Sequence, residues 1–143
     1  MLILAIALVL TLGGIAALHA YWGFNGRWPA RDEATLADMV IGKTPGERMP
    51  PPAACFAVAA AILAGVGLIV LVSFGGLPHP AAAFVRGAYW IFTAVFVARG
   101  VAGFVPALWR RSSGTAFVRL NTRYYSPLCL LLGAGLISNL LGR

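Results

Sequence analysis

Residues 89–103 read YWIFTAVFVARGVAG, an apolar stretch of helical length that contains one charged residue, Arg99. A guanidinium in hydrocarbon costs roughly 2.5–3.5 kcal/mol on insertion scales, so such residues usually face a bundle interior, a cavity or the interface. Helical spacing gives the same face Tyr89, Phe92, Phe96 and Gly103. The stretch therefore predicts a membrane helix with a charged, aromatic face, and we look for function at Arg99.

The composition agrees with a membrane protein. The chain has 143 residues, of which 60% are hydrophobic and 10% charged, and its mean hydropathy is +0.86. Because a helix needs about 20 apolar residues to cross a hydrocarbon core of about 30 Å, the apolar windows predict spans over about 2–22, 53–74, 81–105 and 127–141. The fold class is all-α: an integral membrane four-helix bundle forming a single transmembrane domain over 1–143, with loops 23–52, 75–80 and 106–126. A secretory signal peptide is the alternative for the first span, but a basic leading region is missing.

The first loop holds every acidic residue of the chain. Within it, residues 31–42 place acids in a first turn and apolar residues after it, which predicts a short helix lying on the membrane surface. Gly42 should end that helix, and the run MPPP from Met49 should lead into the second span as an extended connector. Trp22 and Trp28 are typical of a membrane interface.

The other connections are compact. The uncharged residues 75–80 predict an antiparallel hairpin with His79 in its turn. Ser126 followed by Pro127 predicts the N-cap and first turn of the fourth span. That span is short, so either it stays short or Arg143 anchors its end. Small residues in the first two spans are expected to allow close helix contacts: Gly13, Gly14 and Ala17 in the first, and Ala57, Ala61, Ala64, Gly65 and Gly67 in the second.

The basic residues predict an orientation. The loops 23–52 and 106–126 contain four Lys or Arg residues each, whereas the opposite side has Arg86 and Arg143. By the positive-inside rule, we expect loops 1 and 3 in the cytoplasm and both termini outside, in a bacterial inner membrane. The arginines adjoin the bilayer, so we expect membrane lipids rather than nucleic acid as partners.

Alternating spans collect the chemically active side chains at the membrane face that carries loops 1 and 3. The candidate ligand-binding residues there are His19, Trp22, Trp28, Arg99, Tyr124, Tyr125 and Ser126, with Cys55 and Cys129 at the same level. The alternatives are that Arg99 only snorkels to the interface, that the aromatic residues only pack, and that His19 only caps a helix end. No metal site is predicted, because the topology places the two histidines on opposite faces.

Three segments carry a resemblance to a known family: L-H-A-Y-W-G-F-N-G-R-W-P at 18–29, A-R-G at 98–100, and F-V-R-L-N-T-R-Y-Y-S-P-L-C-L-L-L-G at 117–133. The chain resembles the small bacterial four-span membrane proteins catalogued as domain of unknown function 3995. The family commonly carries an aspartate where this sequence has Asn121, and an acidic or aromatic residue after the glycine of the third span. This sequence lacks both carboxylates. The resemblance implies the fold and the location of a site, but no reaction.

A guanidinium with phenols, indoles and a histidine suits an anionic or carbonyl-bearing lipophilic ligand, such as a lipid headgroup, a quinone or an isoprenoid phosphate. We therefore predict a ligand pocket around Arg99. One alternative is an accessory or scaffold subunit that binds lipid and a partner membrane protein, and another is a dimeric anion path or small transporter. Whether the protein is an enzyme stays open, because His19 is the one candidate general base. The sequence assigns no cofactor, oligomeric state or thiol state.

Overall fold

The computed structural model describes residues 2–75 and 78–142, and all regular structure in these residues is helical. The α-helices are α1 (Leu2–Gly23), α2 (Glu33–Val40), α3 (Pro52–Phe74), α4 (His79–Ala102), α5 (Ala116–Leu120) and α6 (Ser126–Leu141). Short 3-10 helices cover Pro45–Glu47 and Pro106–Ser112, and a π-helical turn covers Asn121–Tyr125.

Four helical segments are long and apolar enough to cross a membrane. They are α1, α3, α4 and the continuous stretch Ala116–Leu141, which runs from α5 through the π turn into α6. The predicted all-α, four-helix membrane architecture is confirmed, and the chain is a multi-pass membrane protein. The fourth segment has 26 residues, because the turn before Ser126 is helical and lengthens the short span expected from the sequence.

The four long helices form one bundle in which each contacts two neighbours around a ring. α1 packs mainly on α3, and α4 mainly on α6, while α3–α4 and α1–α6 contacts complete the ring. α1 and α4 therefore lie at opposite corners. The residues that meet inside follow helical spacing along each helix: on α1 they are Ala5, Leu8, Leu12 and Ala16.

The two ends of the bundle have different chemistry. At one end, the last turn of α1 approaches the first turn of α3, with Gly23 against Phe56, and the end of α4 approaches the start of α6, with Gly100 against Leu130. This end carries loops 1 and 3, as the alternation of spans predicts. We call it the loop end.

A buried polar cluster ties three helices together nearer the opposite end. The Tyr89 hydroxyl donates to the Leu136 carbonyl oxygen at 3.1 Å. The Asn139 amide nitrogen lies 3.2 Å from the Tyr89 hydroxyl and 3.3 Å from the Ser73 hydroxyl, in donor geometry to both. Such hydrogen bonds between membrane helices are worth roughly 0.6–2 kcal/mol each and fix how the helices are paired.

The structure has a close helix contact at one of the predicted small residues, whereas others lie away from any neighbouring helix. Gly65 on α3 meets the Phe92 ring, so it does allow a close approach of α4. By contrast, Gly13, Gly14 and Gly67 have open space where a side chain would stand, and Ala17, Ala57, Ala61 and Ala64 are exposed. These residues therefore face away from the bundle interior. The hairpin connector begins after Phe74, and α4 already starts at His79; residues 76–77 of the connector and the predicted anchor Arg143 lie outside the described residues.

The short helix predicted in the first loop is present as α2. Asp32 caps it, because its carboxylate accepts the Thr35 backbone N–H at 2.8 Å. That hydrogen bond, followed by one from the Thr35 hydroxyl, holds the pKa of the Asp32 carboxyl below its ordinary value. Gly42 follows the last turn at φ 91°, in the left-handed region, so the predicted helix end is confirmed.

Loops 1 and 3 pack on each other at the loop end. Leu36 and Ala37 of α2 are buried, and α2 contacts α5. The Asp38 carboxylate accepts the backbone N–H of Ala116, the first residue of α5, at 3.1 Å, and the Tyr125 hydroxyl donates to the Met39 carbonyl oxygen at 3.2 Å. The apolar side of α2, which the sequence predicts to lie on the membrane surface, is therefore covered at least in part by loop 3.

Candidate functional site

The Arg99 guanidinium turns into the protein rather than toward the surface. Its Nη2 donates to the side-chain oxygen of Asn121 at 2.7 Å, and its carbon Cζ lies 5.3 Å from the centre of the Trp109 ring, within the range of a cation–π contact. Its other terminal nitrogen, Nη1, is enclosed and has no hydrogen-bond partner. One half of the guanidinium is thus bound by a neutral amide, and the other half is unsatisfied.

A π-helical turn places Asn121 in reach of Arg99. Because a π-helix bonds residue i to residue i+5, the backbone N–H of Ser126 reaches the Asn121 carbonyl oxygen. The same spacing lets the Ser126 hydroxyl reach the Asn121 side-chain oxygen at 3.3 Å. Both side chains are fully buried. The sequence prediction that Ser126 is an N-cap is wrong, because the chain before it is already helical.

The end of α4 completes the site. The Asn121 amide nitrogen donates to the Gly103 carbonyl oxygen at 3.2 Å. A side chain at Gly103 would overlap the Ser126 hydroxyl and lie 2.6 Å from Ser126 Cβ. The Trp109 indole N–H donates to the Ala102 carbonyl oxygen at 2.8 Å, which satisfies one of the free carbonyl groups at the end of α4. We call Arg99, Gly103, Trp109, Asn121 and Ser126 the arginine cluster.

A groove of about 480 Å³ adjoins the arginine cluster. It shares Gly103 and Trp109 with the cluster and is otherwise lined by Phe104, Pro106, Arg110, Ser113, Val118 and Thr122. Its volume lies within the range of about 300–1,000 Å³ that small-molecule pockets occupy. The lining combines an apolar floor with one cation and two hydroxyl groups.

Three of the four acidic side chains form hydrogen bonds away from Arg99. Asp32 caps α2, Glu33 accepts the Met49 backbone N–H at 3.0 Å, and Asp38 accepts the Ala116 N–H. All four acidic residues belong to the first loop, and loop 3 has none. Within residues 2–75 and 78–142, the hydrogen-bond partner of the Arg99 guanidinium is the neutral Asn121. The positive charge at the arginine cluster is therefore not balanced by a bonded carboxylate in the described part of the chain.

Three of the predicted site residues form a separate group at the end of α1. One ring nitrogen of His19, Nδ1, lies 2.8 Å from the Ile15 carbonyl oxygen, and the ring packs edge-on against Trp22 at 5.1 Å. The Trp22 indole N–H donates to the Trp28 carbonyl oxygen at 2.8 Å. Because α1 and α4 occupy opposite corners of the bundle, this group does not join Arg99 in one site.

The two predicted tyrosines point in different directions. Tyr124 is 54% exposed, and Arg123 lies over its ring at 5.5 Å. Tyr125 is half-buried, bonds Met39 and packs near Phe117. Of the seven predicted ligand-binding residues, Arg99 and Ser126 share a hydrogen-bond partner, Asn121, that was not among the seven.

The sequence interpretation missed Asn121 and Trp109 as members of the site. Asn121 did carry a signal, since the family resemblance leads us to expect an aspartate at this position, and an aspartate would pair with an arginine. Trp109 gave none, because an indole beside Arg110 and Arg111 in a loop reads as an interface residue. Cys55 and Cys129 are free thiols, and the described residues contain no group of three or more metal-binding side chains.

The chain matches the model of a known protein family. A family model described as Protein of unknown function (DUF3995) matches residues 12–136. The chain belongs to this family. No curated protein and no solved structure matches it.

The DUF3995 match covers most of the chain, including all of α2 to α5 and the entire arginine cluster. The resemblance drawn from the sequence is thereby confirmed. The resemblance leads us to expect an aspartate at position 121, where this chain has Asn121, and the amide oxygen of Asn121 accepts a hydrogen bond from Arg99. In this member, the amide fits both neighbours, since its oxygen accepts from Arg99 and its nitrogen donates to the Gly103 carbonyl.

Proposed function

We propose that this protein binds an anionic or carbonyl-bearing lipophilic molecule at the arginine cluster. The observation that carries the proposal is the Arg99 guanidinium, which is turned inward, bonded on one side to the neutral Asn121 and unsatisfied at Nη1. A buried donor without a partner costs about 1–3 kcal/mol, and more when it is charged. A ligand oxygen at Nη1 would remove that cost.

An anion suits the site better than a neutral group. Burying a cation is unfavourable unless an opposite charge compensates it. The Trp109 ring stabilises the guanidinium through its π face but carries no charge. A bound anion would therefore be held by charge compensation as well as by the hydrogen bond, and a carbonyl oxygen by the hydrogen bond alone.

The surroundings favour a lipophilic ligand. The groove beside the cluster has apolar lining from Phe104, Pro106 and Val118, and it begins where the membrane-spanning α4 ends. Phe104 and Val105 are exposed there. A molecule with an acyl or prenyl chain could enter from the bilayer with its polar end toward the arginines.

We expect Arg99→Gln to abolish binding of a brominated fatty acid. The test uses a form in which Trp109 is the single tryptophan, with Trp22, Trp28 and Trp90 replaced by phenylalanine. Bromine quenches an indole on contact, so saturable quenching of Trp109 reports ligand in the site. The glutamine variant should lose the saturable quenching, because it removes the charge. Its midpoint of thermal unfolding should stay equal or rise, since an uncompensated buried charge is removed.

Arg86→Gln is the matched control, because it removes the same charge from an exposed position at the other end of α4. It should leave quenching unchanged. The brominated alcohol of the same chain length tests whether the anion matters. Equal saturable quenching in wild type and Arg99→Gln would contradict the proposal.

We also propose that the protein lies in a bacterial inner membrane with loops 1 and 3 in the cytoplasm and both termini outside. The support is the charge distribution: loop 3 has four arginines and no acid, and three of the four acids in loop 1 accept backbone N–H groups. Alkaline phosphatase fused after Arg143 should be active, and the same enzyme inserted at the exposed Gly114 should be inactive. The reverse pattern would overturn the orientation.

A further inference from the structure

The groove next to the arginine cluster carries an inference that rests on the proposed function and names the ligand class. We propose that this groove holds the headgroup of a lipid that ends in a phosphate monoester, with the phosphate between Arg110 and Arg99. Both arginines adjoin Trp109. Arg110 follows Trp109 directly in the chain and lines the groove, while Arg99 lies under the Trp109 ring.

The charge of the two arginines matches a phosphate monoester. A phosphate monoester carries a charge of about −1.5 to −2 at pH 7, and the two guanidinium groups supply an equal and opposite charge. A carboxylate or a phosphodiester would balance one of them, and a quinone neither. The rest of loop 3 adds positive potential without a competing carboxylate, because Arg111, Arg119 and Arg123 are its other ionised residues.

The hydrogen-bond donors of the groove and of Arg99 also suit a phosphate. Arg110 presents a fork of N–H groups suited to two phosphate oxygens, Ser113 adds a hydroxyl in the groove lining, and Arg99 retains the unsatisfied Nη1. A terminal phosphate offers three acceptor oxygens to these donors. A carboxylate has its acceptor sites on two oxygens in one plane, so it matches donors that approach from several directions less well than a tetrahedral phosphate does.

A ligand in the groove must pass Trp109 to reach Nη1 of Arg99. The Trp109 indole lines the groove and contacts Arg99. It is held by its hydrogen bond to the Ala102 carbonyl oxygen and by an edge-on contact with the Phe117 ring at 5.2 Å. A ligand must shift the indole from these contacts to reach Nη1. The exchange substitutes a charged hydrogen bond for a cation–π contact, so a dianion gains more from it than a neutral group. The acyl chain would then leave over Phe104 and Val118 toward the bilayer.

The experiment compares amphiphiles of one chain length by their effect on Trp109 fluorescence, in the form with Trp109 as its single tryptophan and below the micelle concentration of each. Dodecyl phosphate should bind at least about tenfold more tightly than dodecyl sulfate or dodecanoate. Inorganic phosphate should fail to compete, because it lacks the chain. The preference for dodecyl phosphate over dodecyl sulfate should shrink from about pH 7.5 to about pH 5.5, where the phosphate dianion takes up one proton. Arg110 is the one ionisable side chain among the described residues that line the groove.

Arg110→Gln should weaken dodecyl phosphate binding about tenfold, while Arg111→Gln, an exposed neighbour outside the groove lining, should change it little. Arg110 is also exposed, so folding is not at risk. If all three amphiphiles bind alike and Arg110→Gln matches Arg111→Gln while Arg99→Gln still loses binding, the phosphate assignment is overturned and the proposed function stands. Binding that survives Arg99→Gln overturns both. Competition by inorganic phosphate at equal affinity overturns the lipid source.

Discussion

Gly103→Ala should destabilise the protein by about 1–3 kcal/mol or more, the cost of inserting a group into a packed interior. Glycine is needed here for space, since its φ of −65° is one that any residue adopts. An added methyl group would overlap the Ser126 hydroxyl and lie 3.0 Å from the Asn121 amide nitrogen. Both neighbours are fully buried and belong to the same helical segment. The start of α6 would therefore have to move away from the end of α4, and the Arg99–Asn121 hydrogen bond would lengthen or break.

The measurement is thermal unfolding in detergent, followed by circular dichroism. Gly87→Ala provides the control, because Gly87 lies on α4 with open space where its side chain would stand. That substitution should be neutral or slightly stabilising, as alanine favours the helix over glycine by up to about 1 kcal/mol. Equal unfolding midpoints for the two alanine variants would show that the close approach at Gly103 is not required.

Asn121→Leu should lower the free energy of unfolding by about 1.5–3 kcal/mol, the value of a hydrogen bond to a charged group. The substitution removes the described hydrogen-bond partner of the Arg99 guanidinium and also leaves the Gly103 carbonyl oxygen without its donor. The guanidinium would then be a buried cation without a hydrogen bond, which is the costly situation in a protein interior.

A double-mutant cycle separates that cost from a simple packing change. In Arg99→Leu with Asn121→Leu, both partners are apolar, and the protein should recover most of the stability that Asn121→Leu alone loses. The coupling energy should fall between about 0.5 and 3 kcal/mol. Thr122→Val is the matched control, since Thr122 is an exposed neighbour on the same turn. Strictly additive effects in the cycle would mean that Arg99 and Asn121 do not depend on each other.

Together, these variants test different properties of one cluster. The asparagine and glycine substitutions report on how the site is built, so they act on stability. Arg99→Gln reports on what the site is for, because it removes an unsatisfied charge that the fold does not need. A protein that keeps its stability and loses its ligand in that variant has a binding site at Arg99.

The sequence predicted the parts of this protein that depend on apolar length and on helical spacing. Four windows of sufficient hydropathy gave the spans, and Gly42 gave the end of α2. The step of three or four residues from Tyr89 to Arg99 identified the face of α4 that turns inward, where Tyr89 and Thr93 are buried. These features follow from local chemistry and the thickness of a bilayer, so no knowledge of neighbouring helices was needed.

The tertiary structure decided which reactive groups meet. Alternation of spans placed His19 and Arg99 at the same level, but level alone does not fix position around the bundle. The pairing of the helices around the bundle puts α1 and α4 at opposite corners, so the histidine and the arginine are apart. The π turn, whose spacing of five joins Asn121 to Ser126, is a departure from regular helix that hydrophobic periodicity does not reveal. The partner of Arg99 is therefore set by a long-range contact between α4 and the segment before α6. That contact depends on how the helices pack, which the sequence of neither segment alone determines.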